Sequence, residues 1–175
     1  ARMDDAAPTL PLPSYTGPAP DDFDRALAYV DGGFVRLDQA RIPIRDLGLM
    51  RADLTYEVVH VWQGGFFRLE DHFDRFAESL RGFRLDPGLS RPAMAALLSD
   101  LVRRAGLRFA TVWFACTRGV AGQGSRDPKT ARNSFYATAT PLTPRADRAT
   151  MARGLAVRIH PTIRRIPPDS IDPRH

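Results

Sequence analysis

The sequence predicts an α+β domain in which two amphipathic helices cover one face of a sheet. Three patterns lead to this prediction: a period-two alternation over residues 54–62, an apolar stripe at helical spacing over 70–84, and a second such stripe between Ser90 and Gly106. A strand that alternates at every residue buries one face, and a helix with one apolar stripe needs a surface to cover it. Packing the helices on the sheet satisfies both requirements in two layers.

Composition narrows the function classes. The chain has 175 residues, 43% of them hydrophobic, which suffices for the core of one domain or of a small domain and part of another. The formal charge is +5, but the basic residues are scattered among acidic ones, so a nucleic-acid surface is not predicted. No apolar run reaches the roughly 20 residues of a membrane span, and no membrane association is predicted.

The single cysteine, Cys116, lies within an apolar run. A disulfide within these residues is impossible, which favours a reducing compartment, the cytoplasm. We interpret Cys116 as a small buried side chain of a strand rather than a nucleophile.

The first third of the chain begins with an arm and continues with hairpins. Residues 1–27 are predicted to form a proline-rich arm, the tripeptide Asp31-Gly32-Gly33 to form a hairpin turn, and residues 46–53 to form a loop. Residues 54–62 follow as a strand, and Gln63-Gly64-Gly65 then turns the chain into a second short strand that includes Phe66, Phe67 and Leu69.

Two helices and two more strands complete the predicted domain. The first helix covers about Glu70 to Arg84, with Phe73, Phe76, Leu80 and Phe83 on its apolar stripe. Ser90 caps the second helix, Gly106 ends it, and its predicted buried side chains are Met94, Leu97, Leu98, Leu101 and Val102. Residues 109–117 form a central strand, residues 118–132 a loop and residues 134–140 another strand.

These elements define the predicted domain organisation. The small α+β domain spans residues 28–141, an interdomain linker spans 142–150, and residues 151–175 begin a larger α/β domain of pseudo-barrel type. Within that last segment, residues 154–163 are predicted to form a strand.

Residue types alone leave the chemistry open. The chain has no phosphate-binding glycine loop, no nucleophile elbow and no histidine pair at metal-ligand spacing, so no metal site is predicted. Three arginines, Arg75, Arg118 and Arg126, could form an anion site or could simply be solvated charges.

Read as a whole, the chain resembles the class IV aminotransferases, which depend on pyridoxal phosphate. The matching segments are AYVDGGFVRLDQARIPIRDLGL (residues 28–49), ADLTYEVVHVWQGGFFRLEDHFDRF (52–76), Cys116-Thr117-Arg118-Gly119, and residues 157–173. Within the family, the sequences of residues 53–62 and 166–173 look most like the branch of (R)-selective amine transaminases. The resemblance implies the two-domain fold already predicted and an assembly into homodimers.

The resemblance also implies an activity and a cofactor. Pyridoxal 5'-phosphate would serve to move an amino group between an amine or amino acid and a ketone or 2-oxo acid, with (R)-amine or D-amino-acid selectivity in the matching branch. The family's H-x-x-R motif holds the cofactor phosphate, and here it is His72-Phe73-Asp74-Arg75. Arg75 is therefore the predicted cofactor-binding residue, because a guanidinium can bind two phosphate oxygens at once.

Five residues match family positions around the substrate. Tyr56 and Val58 correspond to pocket-lining strand positions, and Arg126 to an arginine that binds a substrate carboxylate. Arg51 and Trp113 depart from the matching branch, which usually has a histidine and a smaller or acidic residue there. These two departures leave the substrate open.

The family's Schiff-base lysine is expected immediately after His175, so no catalytic residue is predicted within the 175 residues. Lys129, the only lysine, lies in a polar loop and is interpreted as a solvated charge. Two alternatives stay open at this point: a branched-chain aminotransferase or aminodeoxychorismate lyase on the same fold, and a non-catalytic binding domain.

Overall fold

The computed structural model describes residues 15, 17–125 and 127–159. Its strands and α-helices, in chain order, are β1 (Leu27–Val30), β2 (Gly33–Arg36), α1 (Leu47–Arg51), β3 (Leu54–Trp62), β4 (Gly65–Phe66), α2 (Leu69–Phe83), α3 (Arg91–Ala105), β5 (Ala110–Val120), β6 (Arg132–Pro141) and α4 (Arg148–Arg153). Short 3₁₀ helices lie at Pro20–Arg25, Leu37–Gln39 and Pro128–Thr130. No helix in the described ranges is long and apolar enough to cross a membrane.

The six strands form one sheet in the order β2-β1-β6-β5-β3-β4, and every neighbouring pair is antiparallel. β5 lies between β6 and β3, which confirms the predicted central strand. Both of its edges are hydrogen-bonded to neighbouring strands, and none of its residues is exposed, in agreement with its apolar side chains on both faces. The sheet with its helices confirms the predicted α+β class.

The helices α2 and α3 cover one face of this sheet. α2 buries Phe73, Phe76 and Leu80, and the Phe76 ring meets Phe114 of β5 edge to face at 5.1 Å between centroids. The buried side chains of α3 are Met94, Leu98, Leu101, Val102 and Ala105. Both predicted helices are thus confirmed, although Phe83 and Leu97 are only partly buried. Ser90 caps α3 as predicted by accepting a hydrogen bond from the Ala93 amide.

β3 alternates strictly between the two faces. Thr55, Glu57, Val59 and Val61 are buried, whereas Tyr56, Val58, His60 and Trp62 are exposed. β4 pairs only with Val61 and Trp62. In the described part of the chain, residues 54–59 therefore form an open edge of the sheet, whereas the His60 carbonyl accepts a hydrogen bond from the Phe67 amide.

The prediction of a loop over residues 46–53 is wrong, because the structure contains the short helix α1 there. Asp46 caps this helix by accepting a hydrogen bond from the Gly48 amide at 2.7 Å. Gly48 lies so close to β5 that a Cβ atom at this position would be 2.7 Å from Cβ of Thr117. A capping aspartate and a glycine at a close approach are the local reasons for the helix.

Three further boundaries differ from the prediction. The strand after the turn ends at Phe66, and Phe67 is 64% exposed, because Arg68 adopts a left-handed conformation that ends the extended backbone. β5 and β6 reach into the predicted loop over residues 118–132 through an irregularity in register between Thr117 and Val120. Bulges of this kind leave little trace in a hydrophobic pattern.

The predicted arm and the predicted last segment lie only partly within the described residues. Tyr15 of the predicted arm stacks on Phe109 at 4.2 Å between ring centroids, and its hydroxyl donates to the Leu142 carbonyl. α4 begins inside the predicted linker, capped by Asp147. The strand predicted over residues 154–163 is absent from residues 154–159, and the remainder lies outside the described residues. The proposed domain limits themselves stay predictions.

Candidate functional site

The most distinctive polar cluster of the domain joins β3 to α2. Glu57 accepts hydrogen bonds from Nε and Nη2 of Arg75, at 2.6 Å and 2.5 Å, one on each carboxylate oxygen. Nδ1 of His72 lies 2.8 Å from Oε2 of the same carboxylate. The cluster is a bidentate ion pair with a histidine at its side, the strong and directional form of an arginine–carboxylate contact.

The local sequence accounts for this geometry. Glu57 occupies one of the inward positions of β3, so its side chain points toward α2. His72 and Arg75 are three residues apart on α2 and therefore lie on one face of that helix. Burial raises the pKa of Glu57, but hydrogen bonds from Arg75 and His72 outweigh it and hold that pKa below its usual value. Glu57 is therefore ionised at neutral pH.

The two partners differ sharply in exposure. The Glu57 side chain is 3% exposed, whereas that of Arg75 is 67% exposed. Nη1 of Arg75 has no hydrogen-bond partner within the described ranges. A guanidinium held along one edge and open along the other can bind an oxyanion, and the structure thus leaves Arg75 able to do what the sequence predicted for it.

Arg118, by contrast, is wholly engaged in the fold. Its Nε and Nη2 donate to the two carboxylate oxygens of Asp53 at 3.0 Å and 3.1 Å. Its Nη1 and Nη2 also donate to the carbonyls of Arg84 and Phe83, at the end of α2. Arg118 is therefore not available for the anion site that the sequence suggested for Arg75, Arg118 and Arg126. Arg126 itself lies outside the described residues. Arg118 is a structural arginine that caps a helix.

Three predicted substrate residues meet on the face of the sheet away from the helices. Val58 is directly opposite Trp113 in the register of β3 and β5. The rings of Tyr56 and Trp113 are 6.2 Å apart between centroids. Tyr56 is 57% and Val58 39% exposed, so the described chain forms an accessible, largely apolar wall here.

Arg75 and this wall lie on opposite faces of β3. The sequence predicts Tyr56, Val58 and Arg75 as walls of one site, and within the described chain they do not touch. In the described residues, both Arg75 and the wall lie beside the open edge along residues 54–59. That Tyr56, Val58 and Arg75 contribute to one site stays a prediction.

Arg51 lies in the last turn of α1 and is exposed. The position of that helix depends on Asp46, a carboxylate that is 0% exposed. Its Oδ2 accepts hydrogen bonds from the Thr117 hydroxyl at 2.8 Å and the Tyr136 hydroxyl at 2.9 Å. Burial, reinforced by this carboxylate, raises the pKa of Tyr136 to about 12. α1 is thereby fixed against β5 and β6.

Sequence reasoning missed both Glu57 and Asp46. A signal for Glu57 existed, because a carboxylate in the buried row of an alternating strand requires a partner. Asp46 offered no comparable signal, since its partners Thr117 and Tyr136 are 71 and 90 residues away.

Other candidate chemistry receives no support. Cys116 is 0% exposed, as predicted, and burial raises the pKa of its thiol to about 12, which keeps it protonated at neutral pH. No group of three histidine, cysteine or acidic side chains in the described ranges could hold a metal ion. Lys129 is exposed in the 3₁₀ helix at Pro128–Thr130.

Comparison with protein families gives a match to amino-transferase class IV over residues 54–175. A putative branched-chain-amino-acid aminotransferase of Methanocaldococcus jannaschii is 28% identical over 145 residues, which are 83% of this chain and 49% of that protein. The D-alanine aminotransferase of Listeria monocytogenes is 33% identical over 91 residues, or 52% of this chain and 32% of that protein. The chain thus spans half or less of the length of these curated relatives.

Solved structures show the same fold at low identity. The branched-chain amino acid aminotransferase of Escherichia coli superposes with a TM-score of 0.56 and 18% identity, covering 67% of this chain and 39% of that one. The T.th. branched-chain amino acid aminotransferase, complexed with N-(5'-phosphopyridoxyl)-L-glutamate, has a TM-score of 0.58 and 19% identity, covering 65% and 39%. At such identities the likeness concerns the fold.

Proposed function

The chain belongs to the class IV aminotransferase family, and on that premise we propose that it is part of a pyridoxal-phosphate-dependent transaminase. The reaction would move an amino group between an amine or amino acid and a ketone or 2-oxo acid. The observation that carries the proposal is the half-open guanidinium of Arg75, which stands in the family's H-x-x-R motif. A protein complexed with a phosphopyridoxyl compound shares the fold, which supports the choice of cofactor.

Pyridoxal phosphate, when bound, supplies the electron sink for amino-group transfer. The task proposed for Arg75 is to hold the phosphate through its free Nη1 edge, because that edge faces solvent beside the open strand β3. A phosphate there would be fixed by charge-assisted hydrogen bonds at a distance from the reacting atoms. Since Lys129 is exposed in a polar turn, we propose that a different lysine forms the covalent link to the cofactor.

The apolar wall on the other face is proposed to receive the substrate. Tyr56, Val58 and Trp113 offer two aromatic rings and a branched side chain at the same edge of β3. Such a surface binds the apolar substituent of an amine or amino acid and excludes water from it. Arg51 and Arg126 are proposed to act on a substrate carboxylate, Arg51 from the exposed end of α1.

We propose (R)-amines or D-amino acids as the amino donors, following the resemblance of residues 53–62. The D-alanine aminotransferase among the relatives supports this choice, while the branched-chain relative favours branched-chain amino acids as donors. A donor screen with both enantiomers of 1-phenylethylamine, of alanine and of leucine would separate the two. Faster turnover of the (R)- and D-compounds is expected, and a preference for L-leucine would replace this proposal by the branched-chain one.

The proposed binding of the cofactor phosphate by Arg75 can be tested in the full polypeptide that contains this chain. Arg75→Lys keeps a positive charge but loses the planar fork that gives Glu57 two N–H donors and leaves Nη1 for a phosphate. We expect its affinity for pyridoxal phosphate to fall at least about tenfold, the loss of one charge-assisted hydrogen bond. Arg81→Ala, on the same helix and also exposed, is the matched control. Equal affinity of the Arg75→Lys and wild-type proteins for the cofactor would refute the role of Arg75.

We also propose that the protein assembles as a homodimer, which is the commonest closed assembly. Leu49 and Met50, two neighbouring apolar side chains of α1, are 55% and 63% exposed, and a subunit contact would remove them from water. Light scattering of the full polypeptide at two concentrations would decide this, with a monomer at both as the contrary result.

A further inference from the structure

Glu57 is the charged residue in a row of β3 side chains that are otherwise suited to burial. Its neighbours in that row are Thr55, Val59 and Val61, and its partner across the sheet is Phe114. Only 3% of the Glu57 side chain is exposed. Removing a carboxylate from water is costly, so a buried glutamate at this position calls for a compensating role.

The two members of the ion pair differ in how many of their hydrogen-bonding groups are occupied. In Glu57 both oxygens are used, by Arg75 and His72. Among the described residues, Arg75 finds partners only for its Nε–Nη2 edge, and its side chain is 67% exposed. Both oxygens of the buried member are therefore engaged, while the exposed member keeps the hydrogen-bonding capacity of Nη1.

We propose that Glu57 is a positioning residue, which holds the guanidinium of Arg75 by one edge so that the opposite edge faces the phosphate of the cofactor. The inference rests on the proposed function, in which Arg75 binds that phosphate. An exposed arginine otherwise samples many rotamers, and ordering it on binding costs free energy. Anchoring by Glu57 removes this cost before the ligand arrives.

His72 strengthens the anchor from the second side. Its Nδ1 contacts the carboxylate oxygen that also accepts from Nη2 of Arg75. The contact restricts rotation of the Glu57 carboxylate, and the plane of the carboxylate in turn sets the plane of the guanidinium. The H-x-x-R spacing thus acquires a physical reason, because it places both groups on one carboxylate.

Simple electrostatics predicts the opposite result for a variant without Glu57. Its negative charge partly cancels that of Arg75, so its removal should strengthen the attraction for a phosphate. Positioning predicts weaker binding, since the arginine becomes mobile. The sign of the change in phosphate affinity therefore distinguishes the two effects.

The experiment measures the affinity of the full polypeptide for pyridoxal phosphate, with inorganic phosphate as a competing probe. Glu57→Gln is compared with wild type, each affinity being referred to the folded fraction. We expect binding to weaken by about threefold to tenfold, the range that corresponds to ordering one long side chain. Glu57→Asp, which keeps the charge but shortens the reach, should restore only part of the loss.

Asp53→Asn is the matched control. It removes a carboxylate charge from another bidentate arginine pair of the domain, that of Arg118. Affinity for the cofactor should stay within about twofold of wild type, because Arg118 is only 17% exposed and all three of its guanidinium nitrogens donate to the fold. An equal loss in Asp53→Asn and Glu57→Gln would mean that both act only through stability, and it would overturn the inference.

The outcomes also separate this inference from the proposed function. If Arg75→Lys weakens phosphate binding and Glu57→Gln leaves it unchanged or tighter, Arg75 binds the phosphate without help from Glu57 and the inference fails alone. If Arg75→Lys has no effect, the phosphate role of Arg75 fails first. Weakening in both variants, with Asp53→Asn unchanged, supports both.

Discussion

Arg75 and Arg118 each bind a carboxylate through the same pair of hydrogen bonds, from Nε and Nη2, and their surroundings are opposite. Arg118 is 17% exposed beside Asp53 at 25%, whereas Arg75 is 67% exposed beside Glu57 at 3%. Arg118 adds two carbonyls at the end of α2 to its partners. In Arg75 the Nη1 group has no such partner in the described part of the chain.

The comparison teaches that an arginine–carboxylate pair is not itself a sign of function. A pair in which all three guanidinium nitrogens donate to the fold fastens structural elements to one another, here the start of β3, β5 and the end of α2. A pair that occupies both carboxylate oxygens but only two of the three guanidinium nitrogens leaves a fixed cation at the surface. The distribution of free donors, rather than the distance between the charges, separates a structural pair from a binding one.

The largest effect expected from this comparison belongs to Arg118→Ala. The change leaves Asp53 without its cation and two carbonyls at the end of α2 without donors, so unfolding should become easier by about 3–5 kcal/mol. Urea denaturation of the full polypeptide measures it. Cofactor affinity of the folded fraction should not change, and a selective loss of affinity at unaltered stability would invalidate the structural role.

An intermediate effect separates stability from binding at Glu57 and Arg75. Arg75→Leu alone strands a buried carboxylate and should cost about 2 kcal/mol of unfolding free energy. Adding Glu57→Met should recover most of that loss, because replacing both members of a buried pair by apolar groups is often neutral. Affinity for phosphate should remain lost in the double variant.

The corresponding double replacement of Asp53 and Arg118 provides the contrast. The carbonyls of Phe83 and Arg84 would still lack donors, so recovery of stability should be incomplete. Full recovery in this second pair, judged by the same urea midpoints, would erase the distinction drawn between the two arginines.

The smallest effect is a dependence on pH. The pKa of Glu57 in the folded protein lies below its usual value of 4.5, so its contribution to stability is present above that value and is lost as the pH falls through the folded pKa. The difference in unfolding free energy between wild type and Glu57→Gln should therefore be largest near neutral pH and shrink in acid. Arg81→Ala should follow wild type at every pH, and a constant Glu57→Gln difference would contradict the expectation.

Much of the fold is predictable because its signals are local. The alternation in β3, the apolar stripes of α2 and α3 and the cap at Ser90 are each contained within a few residues. α1 escapes prediction because a five-residue helix has no stripe long enough to detect. Its position depends on Asp46 and its contacts with distant strands, which no window of sequence contains.

The candidate site is predictable in its residues more than in its arrangement. Resemblance points to Arg75, and alternation correctly places Tyr56 and Val58 on one face. The role of Glu57 requires the pairing of a strand with a helix that follows it, which is a tertiary fact. The opposite placement of Arg75 and Tyr56 likewise follows from which face α2 covers.

The burial of Cys116 has a practical consequence for all of these measurements. The thiol is 0% exposed in the central strand β5, and its raised pKa keeps it unreactive in the folded state. A thiol reagent can modify it only when the sheet opens, so the rate of labelling reports the frequency of that opening. The labelling rate of Cys116 therefore measures how often β5, the strand that also bears Arg118, becomes locally exposed. This rate can be compared among the variants of the two arginine pairs.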